Sequence, residues 1–272
     1  MVILHSTAVI FFVEPLIPSI LDFINPLDKI RAKRLHYPIE VFIDRKKYYV
    51  ELTVYNTFAL FLAMQVHITF DTFILQLTQH LCALFVIVQY RINAATKASV
   101  DHNNENKNDN DSTTYKMITQ AIILHKTTFS YHELLDDSYK IGLICLLILN
   151  MTVITVVAVC VPIFMLNENV TMVLRTIALY IVALVHLWFY MELSQKVCDS
   201  SLQVQNTAFH SDWYHTSPKV KQCLQIMMWR SLRPCTLTAG KWIAFNRENF
   251  AKLVKTSISY AAMIHSVNEV KS

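Results

Sequence analysis

The sequence predicts an all-α fold, a polytopic membrane helical bundle of five membrane helices with cytoplasmic helical extensions. Three observations predict it. Of the 272 residues, 54% are apolar and only 16% charged, where a soluble domain carries about 25% charged residues. Four apolar segments long enough, or nearly so, to cross a bilayer precede a last helix that is only half apolar. The chain holds just two glycines, Gly142 and Gly240. A Gly-rich phosphate loop or dinucleotide fingerprint therefore cannot be built, and no alternating strands joined by Asn-Gly or Asp-Gly turns point to a membrane barrel.

The first apolar segment runs from Val2 to Leu21, interrupted by Glu14, Pro15 and Pro18. Pro15 removes a backbone donor, so a kink or helix end is expected there. Met1 opens onto this segment with no basic stretch and no small-residue cleavage site, which disfavours a signal peptide. A polar loop over 22–47 follows, rich in Lys and Arg. The second span covers Tyr49 to Phe70 and contains Asn56, Gln65 and His67, so one face packs on protein. Beyond it Phe73, Leu77, Leu81, Phe85 and Val88 keep helical spacing and predict one long helix that leaves the membrane.

The tract at 93–114 is Asn/Asp-rich and apolar-poor, and disorder is expected there. It divides the chain into 1–92, with two spans and the loop between them, a linker over 93–114, and 115–272; the Lys and Arg of the long loops lean toward a cytoplasmic side for the linker, which would leave the loop over 22–47 extracellular. The last region opens with an amphipathic helix over 115–138, where Ile118, Ile122, Phe129 and Leu135 alternate with Lys116, Gln120, Lys126 and Glu133. Ile141 to Leu166 is the strongest span. A very short turn at 167–170 joins it to the next, Val173 to Tyr190, so the two form a helical hairpin. The final helix is expected over Glu248 to Ser266.

The net charge of +4 is spread over loops and forms no basic arm, so nucleic acid is not expected as a partner. None of the six cysteines falls at a CxxC spacing, and they read as small buried hydrophobes. His132-Glu133 begins a zinc-type HExxH, but Asp136 stands where the second histidine belongs, so no metal or other cofactor is expected. His67 and His186 each stand alone in a membrane helix and read as packed, neutral side chains.

The last helix carries the sharpest local pattern. Lys252, Lys255, Thr256, Ser259, Met263 and Ser266 recur at spacings of three or four and so share one stripe. A membrane helix with a polar stripe turns it toward water or protein, not lipid. That points to a pore or a cavity.

Trp213-Tyr214, Arg230-Ser231, Pro234, Leu237-Thr238-Ala239-Gly240, Phe250 and Ser259-Tyr260 together resemble the C-terminal signature of insect odorant receptors. So does the stretch from His125 to Tyr139, HKTTFSYHELLDDSY, just before a membrane span. The resemblance implies seven membrane helices, a cytoplasmic N-terminus and an extracellular C-terminus. The five spans here match the third to seventh, and the first two are expected to be absent from this sequence. It implies an odorant-tuned subunit of a ligand-gated, non-selective cation channel. That channel would be a hetero-tetramer with a shared odorant co-receptor subunit, multi-pass in the plasma membrane of an olfactory neuron dendrite. No enzyme activity is implied.

The family's last helix lines the pore, which assigns Lys252, Lys255, Thr256, Ser259, Met263, Ser266 and Val267 to the pore wall. Met263 and Val267 fall where the resemblance places the hydrophobic gate, and an apolar neck blocks ions by dewetting. Small volatile ligands would bind between the outer halves of the other helices, in an apolar pocket with a few polar or aromatic anchors. The candidates are Phe12 and Leu16 on the first span, Tyr55, Phe58 and Leu62 on the second, and Ile177, Tyr180 and Ile181 on the fourth. Two alternatives stand beside this reading. A gustatory receptor-like channel would share the fold, but its usual C-terminal pattern is not matched. A metabotropic G-protein-coupled olfactory receptor would carry helix-end motifs of Asp-Arg-Tyr and Asn-Pro-x-x-Tyr type, and both are missing.

Overall fold

The computed structural model describes Ile24 and residues 48–101, 107–166 and 170–271. Helix α1 spans Tyr49–Asp101, α2 Lys107–Leu166 and α3 Val170–His210. A single 3-10 turn at Trp213–His215 leads to α4, Pro218–Ser231. Two short strands, β1 (Thr238–Ala239) and β2 (Ile243–Ala244), precede the last helix, α5, Arg247–Lys271. Apart from that hairpin and the short irregular stretches around α4, the described chain is helical, as the composition predicts. Helices α1, α2 and α3 each contain a stretch long and apolar enough to cross a membrane. The expected first span, Val2 to Leu21, lies outside the described residues.

The chain divides into two compact units, Met1–Leu75 and Gln76–Ser272. In the first, the described residues are chiefly the N-terminal half of α1. The threonines of this half tie back to their own helix: Thr53 Oγ1 donates to the Tyr49 carbonyl at 2.7 Å and Thr57 Oγ1 to that of Thr53 at 2.8 Å. A polar side chain thus survives in an apolar segment at little cost.

The second unit has a core of matched helical stripes. On α1, Leu81, Phe85, Val88, Ile92 and Ala95 are fully buried. Leu187, Met191, Val197, Val204 and Ala208 do the same on α3, and Val220 and Leu224 on α4. Each stripe follows the three-to-four spacing that puts side chains on one face, and each large side chain removed from water contributes about 1.5–3 kcal/mol. The pattern inverts along the apolar segment of α2, where Ile141, Ile148, Leu149 and Val156 are exposed. Where the solvent is lipid, an apolar side chain gains nothing by turning inward, so the outward face is apolar too.

One expectation needs correction. The tract at 93–114 is not a disordered linker throughout: α1 runs to Asp101 and α2 starts at Lys107. The cause lies in its small residues. Ala95, Thr96 and Ser99 are buried on the core face of α1 and Thr114 on α2, so tertiary packing overrides a polar composition. Likewise 115–138 and 141–166 form one unbroken helix, as the second span and its extension do in α1.

Helix ends follow local chemistry. Pro218 opens α4 at the first helical position, where a missing N–H costs nothing. Helix α4 stops two residues short of Pro234, which cannot continue it. At the tip of the hairpin, Gly240 has φ 61° and Lys241 φ 65°. Two positive φ values in sequence build the tight turn in which Trp242 N donates to the Ala239 carbonyl at 3.1 Å.

Candidate functional site

Residues 232–246 form an extended strap between α4 and α5, and its backbone is held alternately by two helices. On the α2 side, His132 Nε2 lies 3.1 Å from the Thr236 carbonyl. The Asp136 carboxylate accepts from Thr238 N at 2.7 Å, and the Lys140 carbonyl accepts from Gly240 N at 3.2 Å. Positions 132, 136 and 140 step four residues along a helix, a rise of about 6 Å. Positions 236, 238 and 240 step two residues along an extended chain, about 6.6 Å. The two repeats nearly match, so three successive turns of α2 can each hold one alternate residue of the strap.

The odd-numbered residues face α3. Cys235 N donates to Ser201 Oγ at 3.0 Å and Leu237 N to Ser194 Oγ at 2.9 Å. All four groups are buried. A buried N–H without an acceptor costs about 1–3 kcal/mol, so these serines are backbone acceptors and not incidental core residues. Burial pushes the Cys235 thiol up to about 12, and it remains protonated.

The ends of the strap are fixed as well. At the start, Ser231 Oγ lies 3.3 Å from His125 Nε2, and the Arg230 guanidinium sits 3.7 Å over the Phe129 ring. Burial, with the Arg230 charge beside it, lowers the His125 pKa to about 4, so the ring is neutral. At the far end, Arg247 makes two bonds to the Glu192 carboxylate, at 2.9 and 2.7 Å. Asn246 Oδ1 accepts from Asn249 N at 2.7 Å and caps α5. The last helix therefore leaves an anchor bonded to both α2 and α3.

On α5 the stripe read from the sequence faces outward. Lys252, Lys255, Thr256, Ser259 and Ser266 are exposed, and Met263 is 55% exposed. Leu253, Val254 and Ser257 are half-buried on the other side. Lys252 is paired with Glu248 at 2.6 Å, which offsets its charge. Thr256 and Ser259 donate to the Lys252 and Lys255 carbonyls at 2.8 and 3.0 Å. The stripe is thus polar while its hydroxyls are already satisfied. Val267 lies on the same helix, but its side chain is outside the described residues.

The candidate ligand residues divide into separate groups. Phe12 and Leu16 lie outside the described residues. Tyr55, Phe58 and Leu62 are exposed on α1, Tyr55 at 71%. Ile177 and Ile181 are exposed on α3, with Tyr180 half-buried between them. Spacing places each set on one helix face. His67 does not stand alone: its Nδ1 is 3.3 Å from the Asp71 carboxylate one turn on.

Sequence reasoning missed the strap. It picked out His125–Tyr139 and Arg230–Gly240 as two separate matches, and the structure brings them together: His125, Phe129, His132 and Asp136 form the face that receives the strap. The 7tm odorant receptor family profile matches residues 1–258.

The chain belongs to the 7tm odorant receptor family.

The chain is 22% identical over 255 residues to odorant receptor 9a of Drosophila melanogaster, a match covering 89% of this chain and 59% of that protein. Its fold is similar to that of the insect olfactory receptor OR5 from Machilis hrabei. In complex with eugenol, the TM-score is 0.72 at 12% identity, covering 97% of this chain and 64% of that one. A second structure of the same protein gives 0.68 at 14% identity. The chain spans less than two thirds of the length of these relatives (59% and 64%). It is a multi-pass membrane protein of all-helical bundle architecture.

Proposed function

We propose that the receptor is a subunit of an odorant-gated, non-selective cation channel, with α5 as its contribution to the pore wall. The observation that carries this is the exposed stripe Lys252–Ser266 on a helix led in from an anchor bonded to both α2 and α3. A water-filled path needs a polar helix face that is not consumed by packing within its own chain, and it needs that helix held firmly at one end. Met263 is the apolar group on this stripe whose side chain is described, and with Val267 it forms the neck that dewets in the closed state. The remaining pore faces come from other subunits, one of them an odorant co-receptor, in a tetramer in the plasma membrane of an olfactory neuron dendrite. Small volatile molecules bind among Phe12, Leu16, Tyr55, Phe58, Leu62, Ile177, Tyr180 and Ile181.

The test is expression of the product of the full transcript with the co-receptor, under voltage clamp and a broad panel of volatiles. An inward cation current, evoked within the application and absent from co-receptor alone at the same dose, supports the reading. A response that needs GTP or a diffusible second messenger would favour the metabotropic alternative and contradict it.

A further inference from the structure

Trp242 is the most exposed large apolar side chain among the described residues, at 88%. Tryptophan combines a large apolar ring with an N–H that seeks an acceptor, so open water suits it poorly. The turn that presents it is defined by its backbone. Gly240 and Lys241 both have positive φ, and Trp242 N donates to the Ala239 carbonyl. The exposed Ile243 follows it on β2.

Two contacts set the level of this tip along α2. Gly240 N donates to the Lys140 carbonyl at 3.2 Å, and a Cβ on Gly240 would stand 3.1 Å from Ile144 Cδ1. Lys140 is the last charged residue before the apolar run that ends at Leu166. Ile141, Ile144 and Ile148 share one face of α2 by their spacing. Ile141 and Ile148 are exposed, at 68% and 58%, and the tip rests on the residue between them. It therefore adjoins the lipid-facing surface of α2 where that helix enters the bilayer. Lys140 and Lys241 both reach back to the Asp137 carboxylate, at 3.0 Å each, so their ammonium groups stay on the polar side of the apolar run.

Trp229 is also well exposed, at 74%, but stands at another level. Its neighbour Arg230 lies over Phe129, about 16 Å before Lys140 along the α2 axis. Two exposed tryptophans thus differ in their distance from the membrane segment.

We propose that Trp242, with Ile243 beside it, sits in the phospholipid headgroup layer and anchors the strap there. At that depth the ring leaves water while its N–H meets phosphate and ester oxygens, which is why tryptophan is enriched at membrane interfaces. The anchor sets the level from which α5 departs, at Arg247, and it does not depend on α5 lining a pore.

The experiment uses the product of the full transcript in lipid nanodiscs, with tryptophan fluorescence as the readout. Subtracting the emission of Trp242→Phe from that of wild type isolates the Trp242 signal. Trp229→Phe isolates Trp229 in the same way. The quenchers are phosphatidylcholines carrying a nitroxide at carbon 5 or carbon 12 of one acyl chain, and aqueous iodide. The Trp242 signal is expected to lose most of its intensity to the carbon 5 nitroxide, less to carbon 12, and little to iodide. The Trp229 signal should be untouched by either lipid. If Trp242→Phe fails to fold, Trp242→Tyr serves for the subtraction. Quenching of Trp242 by iodide alone would place the tip in water and overturn the proposal. Protection from all three quenchers would overturn it too, by showing that another protein chain covers the tip. So would stronger quenching from carbon 12, or equal lipid quenching of Trp229.

Discussion

Asp136 holds Thr238 twice, taking its backbone N–H at 2.7 Å and its hydroxyl at 2.9–3.0 Å with the same carboxylate. The two residues are 102 positions apart in sequence. The first is on the long helix that enters the strongest membrane segment, the second on the strap that leads to the last helix. One side chain thus ties the start of a span to the route into the candidate pore wall.

Asp136→Ala leaves a half-buried N–H and hydroxyl without their acceptor. A hydrogen bond to a charged group contributes about 1.5–3 kcal/mol. The variant should therefore lose about 2–3 kcal/mol, and its melting temperature in detergent should fall by roughly 5–10 °C. Asp136→Asn keeps one acceptor oxygen and should lose about half as much. An unchanged melting curve for the alanine variant would show that the strap is held without this contact.

Gly240→Ala tests the hairpin tip. Its φ of +61° is strained for any side chain, and a Cβ there would stand 3.1 Å from Ile144 Cδ1. The left-handed conformation alone costs about 1–2 kcal/mol. Ile144→Val removes the crowding methyl but not the φ penalty. The double variant should therefore remain about 1 kcal/mol less stable than Ile144→Val alone. Full recovery in the double variant would place the whole cost in the contact.

His125 makes the anchor acid-sensitive. Its pKa in the folded state is lowered from 6.5 to about 4 by burial and by Arg230. The unfolded chain therefore takes up the proton first. The stability this group contributes is fully present above pH ~6.5 and is lost as pH falls toward ~4, amounting to about 3 kcal/mol. Melting temperature should decline across that window, and His125→Gln should flatten the decline. A variant with the same acid limb as the parent would assign the loss to other groups.

Much of the fold is legible in the sequence because solvent dictates it. Segments such as 141–166 are apolar on every face, and a helix is the only open structure that satisfies its own backbone in lipid. The polar stripe of α5 is legible for the same reason, since Lys252 and Ser259 have no place against acyl chains. The tract at 93–114 misleads because composition says nothing of the partner surface that buries Ala95 and Thr96. The strap is illegible for a different reason. Its residues are held through backbone N–H groups that every residue possesses, and Ser194 and Ser201 carry no mark that separates an acceptor for a distant strand from an ordinary core serine. Only the two recognised stretches, His125–Tyr139 and Arg230–Gly240, hint that those segments meet.

The central claim is that the outward stripe of α5 lines a conducting path, and two serines test it with the same substitution. Ser259 is exposed on the stripe, and Ser257 is half-buried on the packing side. Two residues apart, they point about 200° from each other round the helix. Each is replaced by cysteine in the full-transcript product, co-expressed with the co-receptor. A small cationic methanethiosulfonate reagent is then applied during odorant-evoked current. The account predicts that Ser259→Cys is modified and the current falls, while Ser257→Cys conducts unchanged. Modification of Ser257→Cys with Ser259→Cys untouched would put the pore on the opposite face and contradict it.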